Sequence, residues 1–201
     1  MSTLVIADIH GHYDELLEIL EPHFDSGVDL IFLGDLIDRA SAPNGDINVL
    51  NLVHDIDQDP GAYGFASCTV LKGNHEVLFL DAVYHDDYDL WSYNGGDMYA
   101  IDEIMEHFEW LYELPAYTVR GDHLFVHAGV RPDVPLEEQE EFDMTWIRDP
   151  FLTAKDHGLP YTIVHGHTIT NSGDIEYYPG RIAMDTGSFL TGKIGNLVLE
   201  C

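Results

Sequence analysis

Basic residues are unusually scarce in this sequence. Lysine and arginine together number 8, against 37 aspartate and glutamate residues, which gives a formal net charge of −29. Binding to nucleic-acid backbones and to anionic lipid surfaces depends on lysine and arginine. A chain this acidic is therefore expected to bind neither nucleic acid nor a membrane surface.

Cysteines and long apolar runs are also lacking. With two cysteines, Cys68 and Cys201, we expect no disulfide framework and no cysteine-based zinc site. The apolar runs, such as residues 30–33 and 162–164, have the length of strands, whereas a membrane helix needs ~20 apolar residues. No basic region followed by an apolar run marks a signal peptide, and we therefore expect a cytoplasmic protein.

What remains is an ordinary globular composition with an unusual charge. The chain has 201 residues, of which 45% are hydrophobic, and we expect a single domain over residues 1–201. The acid excess comes with only three lysines, which favours a protein from a salt-rich cytoplasm. There, repulsion between charges is screened at ~1 M salt. The alternative is an acidic cytoplasmic protein that its charge keeps in solution.

Short apolar runs alternate with amphipathic segments in the first half of the chain. Residues 4–7, 30–33 and 67–71 are typical of buried strands, and residues 13–24 and 101–114 carry apolar side chains at helical spacing. This alternation predicts parallel strands joined by crossover helices. Further strand signals with short turns predict a second, more antiparallel sheet from residues 124–126, 161–164, 181–184 and 197–199.

Polar motifs stand where the predicted strands end. In chain order they are Asp8-Ile9-His10-Gly11, Gly34-Asp35-Leu36-Ile37-Asp38-Arg39, Gly73-Asn74-His75-Glu76, His127-Ala128-Gly129 and Gly166-His167-Thr168. Ligands of α/β sheets bind outside the carboxyl ends of the strands, so we expect these motifs to meet. Carboxylate, imidazole and amide donors suit borderline divalent metals, and a shared carboxylate can hold two ions ~3.5–4 Å apart.

In this order the motifs resemble those of the calcineurin-like metallophosphoesterases. Within that superfamily the chain is similar to the phosphoprotein phosphatases of the bacteriophage lambda type and to the related symmetrical diadenosine tetraphosphatases. The resemblance runs from about residue 3 to residue 199. It implies an α/β fold, a sandwich of two mixed β-sheets flanked by helices. The metal site would lie at the C-terminal ends of the strands of a single metallophosphoesterase domain.

The resemblance also implies a dinuclear centre for two divalent metal ions. Manganese is the first choice, with iron, zinc or nickel as alternatives. Asp35 matches the carboxylate that the two ions share. The full set of implied metal ligands is Asp8, His10, Asp35, Asn74, His127 and His167.

Four further residues match catalytic positions of the family. His75 matches the residue that protonates the leaving group, and Asp38 matches its carboxylate partner. A carboxylate beside an imidazole favours the charged form, so we expect His75 to carry its proton near neutral pH. Arg39 and Arg148 match arginines that bind the substrate phosphate. The implied reaction is direct attack of a metal-bridging hydroxide on phosphorus, without a covalent phosphoenzyme.

Other residues have two interpretations. Asn94 is assigned to the edge of the substrate site, with a turn as the alternative, and Arg131 either contacts substrate or anchors a loop. His165 is assigned to the surroundings of the site rather than to direct ligation. His12 either lines the pocket or points to solvent, and for Asp185 we favour a structural turn.

The leading hypothesis is a phosphomonoesterase that acts on phosphoserine, phosphothreonine or phosphotyrosine in proteins. The alternative is a symmetrical dinucleoside tetraphosphate hydrolase, which would use the same metal site. A third hypothesis, of another class, is a catalytically inactive scaffold, but every expected ligand and catalytic residue is present. The expected partner is a phosphoprotein or a phosphorylated small molecule.

Overall fold

Nine strands form the frame of the molecule in the computed structural model, which describes residues 2–201. Two of them, β4 and β7, were not predicted, because they are edge strands with no fully buried residue and no apolar run. The strands are β1 (Ser2–Ile6), β2 (Asp29–Phe32), β3 (Ser67–Val70), β4 (Tyr117–Arg120), β5 (His123–Val126), β6 (Thr162–His165), β7 (Glu176–Tyr178), β8 (Arg181–Ala183) and β9 (Asn196–Glu200).

The first sheet has four strands in the order β3-β2-β1-β9. Strands β1, β2 and β3 are parallel, as predicted, with Leu4 paired to Leu30 and Leu30 paired to Cys68. The last strand, β9, returns to pair with β1 in the antiparallel direction, so the expectation that residues 197–199 belong to the second sheet is wrong. From the edge of the first sheet, Leu197 and Leu199 pack against the buried cluster between the sheets. Because the three parallel strands are in register, the loops that follow them leave the sheet at the same edge.

The second sheet has five strands in the order β4-β5-β6-β8-β7. The three central strands, β5, β6 and β8, are parallel, and only β4 and β7 at the edges are antiparallel. The second sheet is thus more antiparallel than the first, as expected, but its antiparallel pairings lie at its edges and its centre is parallel. The parallel centre brings the ends of β5 and β6 to one edge of the sheet. The two sheets together confirm the predicted fold class, a sandwich of two mixed sheets flanked by helices.

Eight short helices complete the part of the chain that the structure describes, and none is long and apolar enough to cross a membrane. The predicted helix over 13–24 ends at Leu20, before a 3₁₀ turn that contains Pro22. The predicted helix over 101–114 is broken at His107, whose ring contacts Asn51 and His54. The helices are α1 (Tyr13–Leu20), α2 (Gly45–Gln58), α3 (Asn74–His85), α4 (Asp89–Tyr93), α5 (Ile101–Met105), α6 (Phe108–Glu113), α7 (Glu141–Trp146) and α8 (Ser188–Thr191).

Alternate side chains of the central strands pack on opposite faces of the first sheet. Val5 and Ile31 belong to a buried cluster that includes Phe125 of the second sheet, so the two sheets pack face to face. Leu4 and its neighbours on the other face pack in a cluster with the helices. Removing a fully buried ring such as that of Phe125 is expected to cost about 3–5 kcal/mol. This core fixes the edge at which both sets of loops meet.

Candidate metal centre and active site

The polar motifs meet at a cavity of about 410 Å³, which we name the metal cavity. It lies at the edge where strands of both sheets end. His127 is fully buried against two of the lining residues. The side chains that line it are Asp8, His10, Asp35, Arg39, Asn74, His75, Arg148, His167, Thr168, Ile169, Asp185 and Phe189.

Asp35 lies between two imidazole rings. Its Oδ2 is 3.7 Å from Nε2 of His10, and its Oδ1 is 3.4 Å from Nε2 of His127. Nδ1 of His10 lies 3.0 Å from the carbonyl oxygen of Ile37, to which it donates. Nδ1 of His127 donates likewise to the carbonyl of Leu33 at 2.9 Å. With the proton on Nδ1, each ring directs its Nε2 lone pair to the side of Asp35, an arrangement typical of metal-ligating histidines.

The amide oxygen of Asn74 lies between the imidazoles of His127 and His167. It is 2.9 Å from Nε2 of His127 and 2.6 Å from Nδ1 of His167. Ligand atoms of Asp35, His127 and His167 all lie within 4.8 Å of one another. A cluster of nitrogen and oxygen donors around one shared carboxylate fits a pair of borderline divalent metal ions.

Burial determines the protonation of these groups in the protein without metal. Asp8 and Asp35 are each 2% exposed. Burial, followed by the repulsion of nearby carboxylates, raises the pKa of both well above the ordinary value. Burial lowers the pKa of His10 and of His167 to about 3, so both rings are neutral near pH 7. Carboxylates that repel each other beside neutral imidazoles are the donor set whose buried charge a divalent cation compensates.

Left-handed backbone conformations cluster around the metal cavity. Nine non-glycine residues of the described chain have a positive φ, and more than half of them belong to the polar motifs. This conformation costs a residue with a side chain about 1–2 kcal/mol, and such strain concentrates at functional sites. The motif residues concerned are His10 (52°), Asp35 (53°), Asp38 (70°), Arg39 (64°) and His167 (63°).

Glu76 supports the loop that carries Asp35, a role that was not predicted. Its fully buried carboxylate accepts the backbone N–H groups of Asp35 at 2.9 Å, Leu36 at 2.8 Å and Gly73 at 2.8 Å. Gly73 leaves no room for a side chain, because a Cβ there would lie 2.3 Å from the backbone nitrogen of Asp35. The available signal was a glutamate three residues after Gly73 and directly before an apolar run, a spacing typical of a capping box at a helix N-terminus.

His75 forms a buried pair with Asp38. Nδ1 of His75 is 2.6 Å from Oδ2 of Asp38, and the indole N–H of Trp91 donates to the other oxygen, Oδ1, at 2.9 Å. A ring nitrogen of His75 lies within 4.8 Å of ligand atoms of His10 and Asp35. Because Nδ1 is engaged by Asp38, Nε2 is the nitrogen that remains for proton transfer in the metal cavity.

The protonation of His75 differs from the simple expectation. Burial, followed by the nearby His10 and Arg39, lowers the pKa of His75 well below its ordinary value. Burial also raises the pKa of Asp38. Burial therefore outweighs the effect of the carboxylate on the ring in the metal-free protein.

Three contacts hold Arg39 over the metal cavity. Its Nε–H donates to the backbone carbonyl of Asn94 at 3.1 Å, and one terminal nitrogen is 3.4 Å from Nε2 of His10. Its Cζ lies 4.5 Å from the ring centre of Phe189, a cation–π distance. Phe189 was not predicted, because its only signal in the sequence is its place shortly after a polar turn. Arg148 lines the same cavity, so two of the five arginines of the chain lie there.

Two residues assigned to substrate binding lie outside the metal cavity. The side chain of Asn94 donates to the carbonyl of Leu90 at 2.8 Å, which fits the turn that was its alternative. The guanidinium of Arg131 pairs with Asp143, with Nε 3.0 Å from Oδ2. This contact fits the alternative in which Arg131 anchors a loop.

The structure also locates the three other residues for which the sequence left a choice of roles. His12 is 4% exposed and does not line the metal cavity, so neither of its two alternatives fits. His165 is fully buried and lines a neighbouring cavity, where its Nε2 lies 3.3 Å from a terminal nitrogen of Arg181. Asp185 accepts the N–H of Gly187 at 2.8 Å, as in the favoured turn, and also lines the metal cavity.

Relatives of this chain are named for hydrolysis of phosphate compounds. It is 34% identical over 138 residues to a symmetrical bis(5'-nucleosyl)-tetraphosphatase of Actinobacillus succinogenes, a match that covers 66% of this chain and 46% of that protein. It is 26% identical over 210 residues to serine/threonine-protein phosphatase 2 of Salmonella typhimurium, which covers 94% of this chain and 89% of that protein. The chain thus spans about half the length of the first relative and most of the second.

The fold and the family agree. The structure of a cold-active protein-tyrosine phosphatase from a psychrophilic Shewanella species superposes with a TM-score of 0.71 at 19% identity, covering 99% of this chain and 75% of that one. At this identity the likeness shows the fold. The family described as calcineurin-like phosphoesterase matches residues 1–191. The chain therefore belongs to the calcineurin-like phosphoesterases.

Proposed function

We propose that this chain is a two-metal phosphatase that hydrolyses phosphate esters in the metal cavity. One observation carries the proposal: the metal-ligand cluster, the His75–Asp38 pair and two arginines all belong to the same site. A scaffold without activity would not require a proton donor beside the ligands. The arrangement supplies the groups that phosphoryl transfer needs, which are metal ligands, phosphate-binding cations and a general acid.

The residues fit two divalent ions, with manganese as our first choice and iron, zinc or nickel as alternatives. When bound, two such ions lower the pKa of water and neutralise charge on phosphoryl oxygens. Asp35, with an imidazole on each side, is suited to a shared position. The proposed ligands of the pair are Asp8, His10, Asp35, Asn74, His127 and His167.

The side chains of the site would divide the remaining work. Arg39 is held by three contacts and needs little reorganisation to bind phosphoryl oxygens, and Arg148 would bind them as well. The raised pKa of Asp38 favours its protonated form, which can donate to Nδ1 of His75, so that Nε2 carries the hydrogen that would pass to the departing oxygen. Asp38 orients the ring of His75 through Nδ1, and Trp91 in turn holds Asp38. The mechanism thus relies on positions that are already fixed by buried hydrogen bonds.

Phosphoserine, phosphothreonine or phosphotyrosine in proteins is the first candidate substrate class. The match to serine/threonine-protein phosphatase 2 of Salmonella typhimurium over 94% of this chain supports it. The second candidate is a dinucleoside polyphosphate. The relative named bis(5'-nucleosyl)-tetraphosphatase supports that candidate, and so does a cavity beside the metal cavity that contains a further arginine.

The proposal is tested with metal-stripped protein. We expect hydrolysis of p-nitrophenyl phosphate to be absent without metal and restored by Mn²⁺. A stronger rate in molar KCl than in dilute buffer would support the salt-rich cytoplasm that the net charge of −29 suggests. Folded protein that stays inactive with Mn²⁺, Fe²⁺, Zn²⁺ and Ni²⁺ would refute the phosphatase. Initial rates on a phosphopeptide and on diadenosine tetraphosphate then separate the two substrate classes.

A further inference from the structure

A second cavity of about 350 Å³ adjoins the metal cavity, and we name it the Arg181 cavity. Thr168 and Ile169 line both cavities and form the rim between them. These two residues directly follow the proposed ligand His167 in the chain. A substrate group that extends from the metal cavity across this rim would enter the Arg181 cavity.

Arg181 is fixed in this cavity with its charge available. Its Cζ lies 3.7 Å from the ring centre of Tyr178, a close stacking distance. One terminal nitrogen is 3.3 Å from Nε2 of His165, and the other donates to the carbonyl of Leu152 at 3.2 Å. None of these partners is a carboxylate, so the positive charge of the guanidinium is not neutralised by a direct ion pair. In a chain with 8 basic and 37 acidic residues, a cation beside the active site that is free of carboxylate partners is suited to bind an anionic group.

Two hydroxyl groups in the same cavity lack partners. Oγ1 of Thr168 and Oγ1 of Thr170 are buried and have no hydrogen-bond partner among residues 2–201. Thr170 is 7% exposed as a whole residue. A buried hydroxyl without a partner is costly, which makes these groups ready donors for a ligand with several acceptor oxygens.

One acidic residue, Glu176, also lines the Arg181 cavity. Its carboxylate is engaged elsewhere: Oε1 accepts the N–H of Ser172 at 2.9 Å, and Oε2 accepts the hydroxyl of Tyr178. Glu176 therefore weakens the positive potential of the cavity without occupying the guanidinium of Arg181. This placement provides a control, because removing the charge of Glu176 and removing that of Arg181 must act in opposite directions on an anion.

We propose that the Arg181 cavity binds a phosphate group of the substrate that is not hydrolysed. The substrate would then be a polyphosphate ester that lies across the Thr168–Ile169 rim, with the scissile phosphate in the metal cavity. A phosphoanhydride chain is narrow and charged along its whole length, whereas a peptide would put uncharged backbone between two arginine-containing cavities. This inference rests on the proposed phosphatase site and selects the second of its two substrate classes.

The test compares wild type with Arg181→Gln and Glu176→Gln in dilute buffer with Mn²⁺. The substrates are p-nitrophenyl phosphate, diadenosine tetraphosphate and a doubly phosphorylated peptide. We expect Arg181→Gln to raise the KM for diadenosine tetraphosphate about tenfold or more, the effect of losing one charge-assisted hydrogen bond. Glu176→Gln is expected to lower that KM, and Arg181→Lys is expected to restore part of the loss. The KM for p-nitrophenyl phosphate stays unchanged in all three variants.

Four results would overturn the inference. They are an equal KM change for both small substrates in Arg181→Gln, the same direction of change in both charge variants, an effect confined to the peptide, and hydrolysis of p-nitrophenyl phosphate without hydrolysis of diadenosine tetraphosphate by the wild type. Failure of the proposed function would look different, as no metal would support hydrolysis of p-nitrophenyl phosphate. Calorimetric binding of diadenosine tetraphosphate to the metal-loaded wild type and variants would then decide the inference.

Discussion

The two sheets contribute chemically different halves of the metal cavity. The loops of the first sheet supply oxygen donors, Asp8, Asp35 and Asn74, together with His10. The loops after β5 and β6 of the second sheet supply imidazole. Neither half has a complete dinuclear ligand set, so metal ions bound between them would tie the two sheets together.

Each half is also oriented by the other. His127 of the second sheet donates Nδ1–H to the carbonyl of Leu33, in the first sheet's loop, at 2.9 Å. Conversely, the carboxylate of Asp8 accepts the backbone N–H of His167 at 2.9 Å. The alignment of the two halves is therefore set by protein hydrogen bonds before any metal is bound. This reciprocity indicates that damage to one half will disturb the ligands of the other.

The largest effect is expected at the junction of the halves, from Asp35→Asn. The amide lacks the charge of a shared carboxylate, so turnover is expected to fall to the uncatalysed background with every substrate. Atomic absorption measures the expected loss of bound metal, and p-nitrophenyl phosphate measures the expected loss of turnover. Asp25→Asn is the matched control, because Asp25 also has a left-handed backbone, with φ 57°, but is exposed and outside the metal cavity. Normal turnover in Asp35→Asn would show that catalysis does not need the Asp35 carboxylate.

A second substitution, His75→Asn, separates chemistry from metal binding. We expect both halves to keep their metal while turnover of an alkyl phosphate falls about 10²–10⁴-fold, the range for a lost general acid. Turnover of p-nitrophenyl phosphate should fall much less, because its leaving group needs little protonation. The pair of substrates is thus an internal control. An equal loss with both substrates would mean that His75 serves the metal site and not the leaving group.

Glu76→Gln tests how much Glu76 supports the loop of Asp35, in the half of the metal cavity that supplies the oxygen donors. The amide nitrogen of glutamine would face a backbone N–H that the carboxylate now accepts, so the loop of Asp35 should loosen. We expect Mn²⁺ affinity to weaken about 10–100-fold, as for residues that orient metal ligands. Titration by calorimetry checks this, with the exposed Glu18→Gln as control. Unchanged affinity would show that the loop holds its shape without the Glu76 carboxylate.

The smallest effect concerns a contact that joins the halves outside the ligands. Phe189, which follows the second sheet, lies under Arg39 of the first at 4.5 Å. Phe189→Ala is expected to raise the KM for p-nitrophenyl phosphate about 2–30-fold with kcat changed less, the strength of one cation–π contact. Phe189→Tyr should retain most of the affinity. The neighbouring Leu190→Ala, 71% exposed, should have no effect. An equal KM change in Leu190→Ala would assign the effect to α8 as a whole.

Much of this arrangement was predictable because strand ends and motifs coincide. Residues such as Asp8 and Asp35 come directly after apolar runs, and parallel strands bring such positions to one edge. The edge strands were missed because they bury too little apolar surface to leave a pattern. The break at His107 was missed because a contact with α2, distant in sequence, overrides the helical spacing.

The supporting residues were harder to predict than the ligands. Glu76, Trp91 and Phe189 act mainly through contacts with residues far away in sequence, and local spacing reports only the capping of Gly73 by Glu76. Asn94 and Arg131 had two interpretations each for the same reason, since a polar residue in a loop satisfies its hydrogen bonds wherever the fold permits. Side-chain partners of this kind are known only when the tertiary structure is known.

The left-handed backbone at Asp35 has a consequence for the evolution of this fold. Asparagine tolerates that conformation at least as well as aspartate. It would also remove a buried carboxyl group that lies close to the carboxylates of Asp8 and Glu76. The same Asp35→Asn change that stops turnover is thus expected to make the metal-free protein more stable, visible as a higher melting temperature. At this position selection for a durable fold and selection for catalysis favour different residues. An engineer who optimises thermal stability alone would be led to discard the active site.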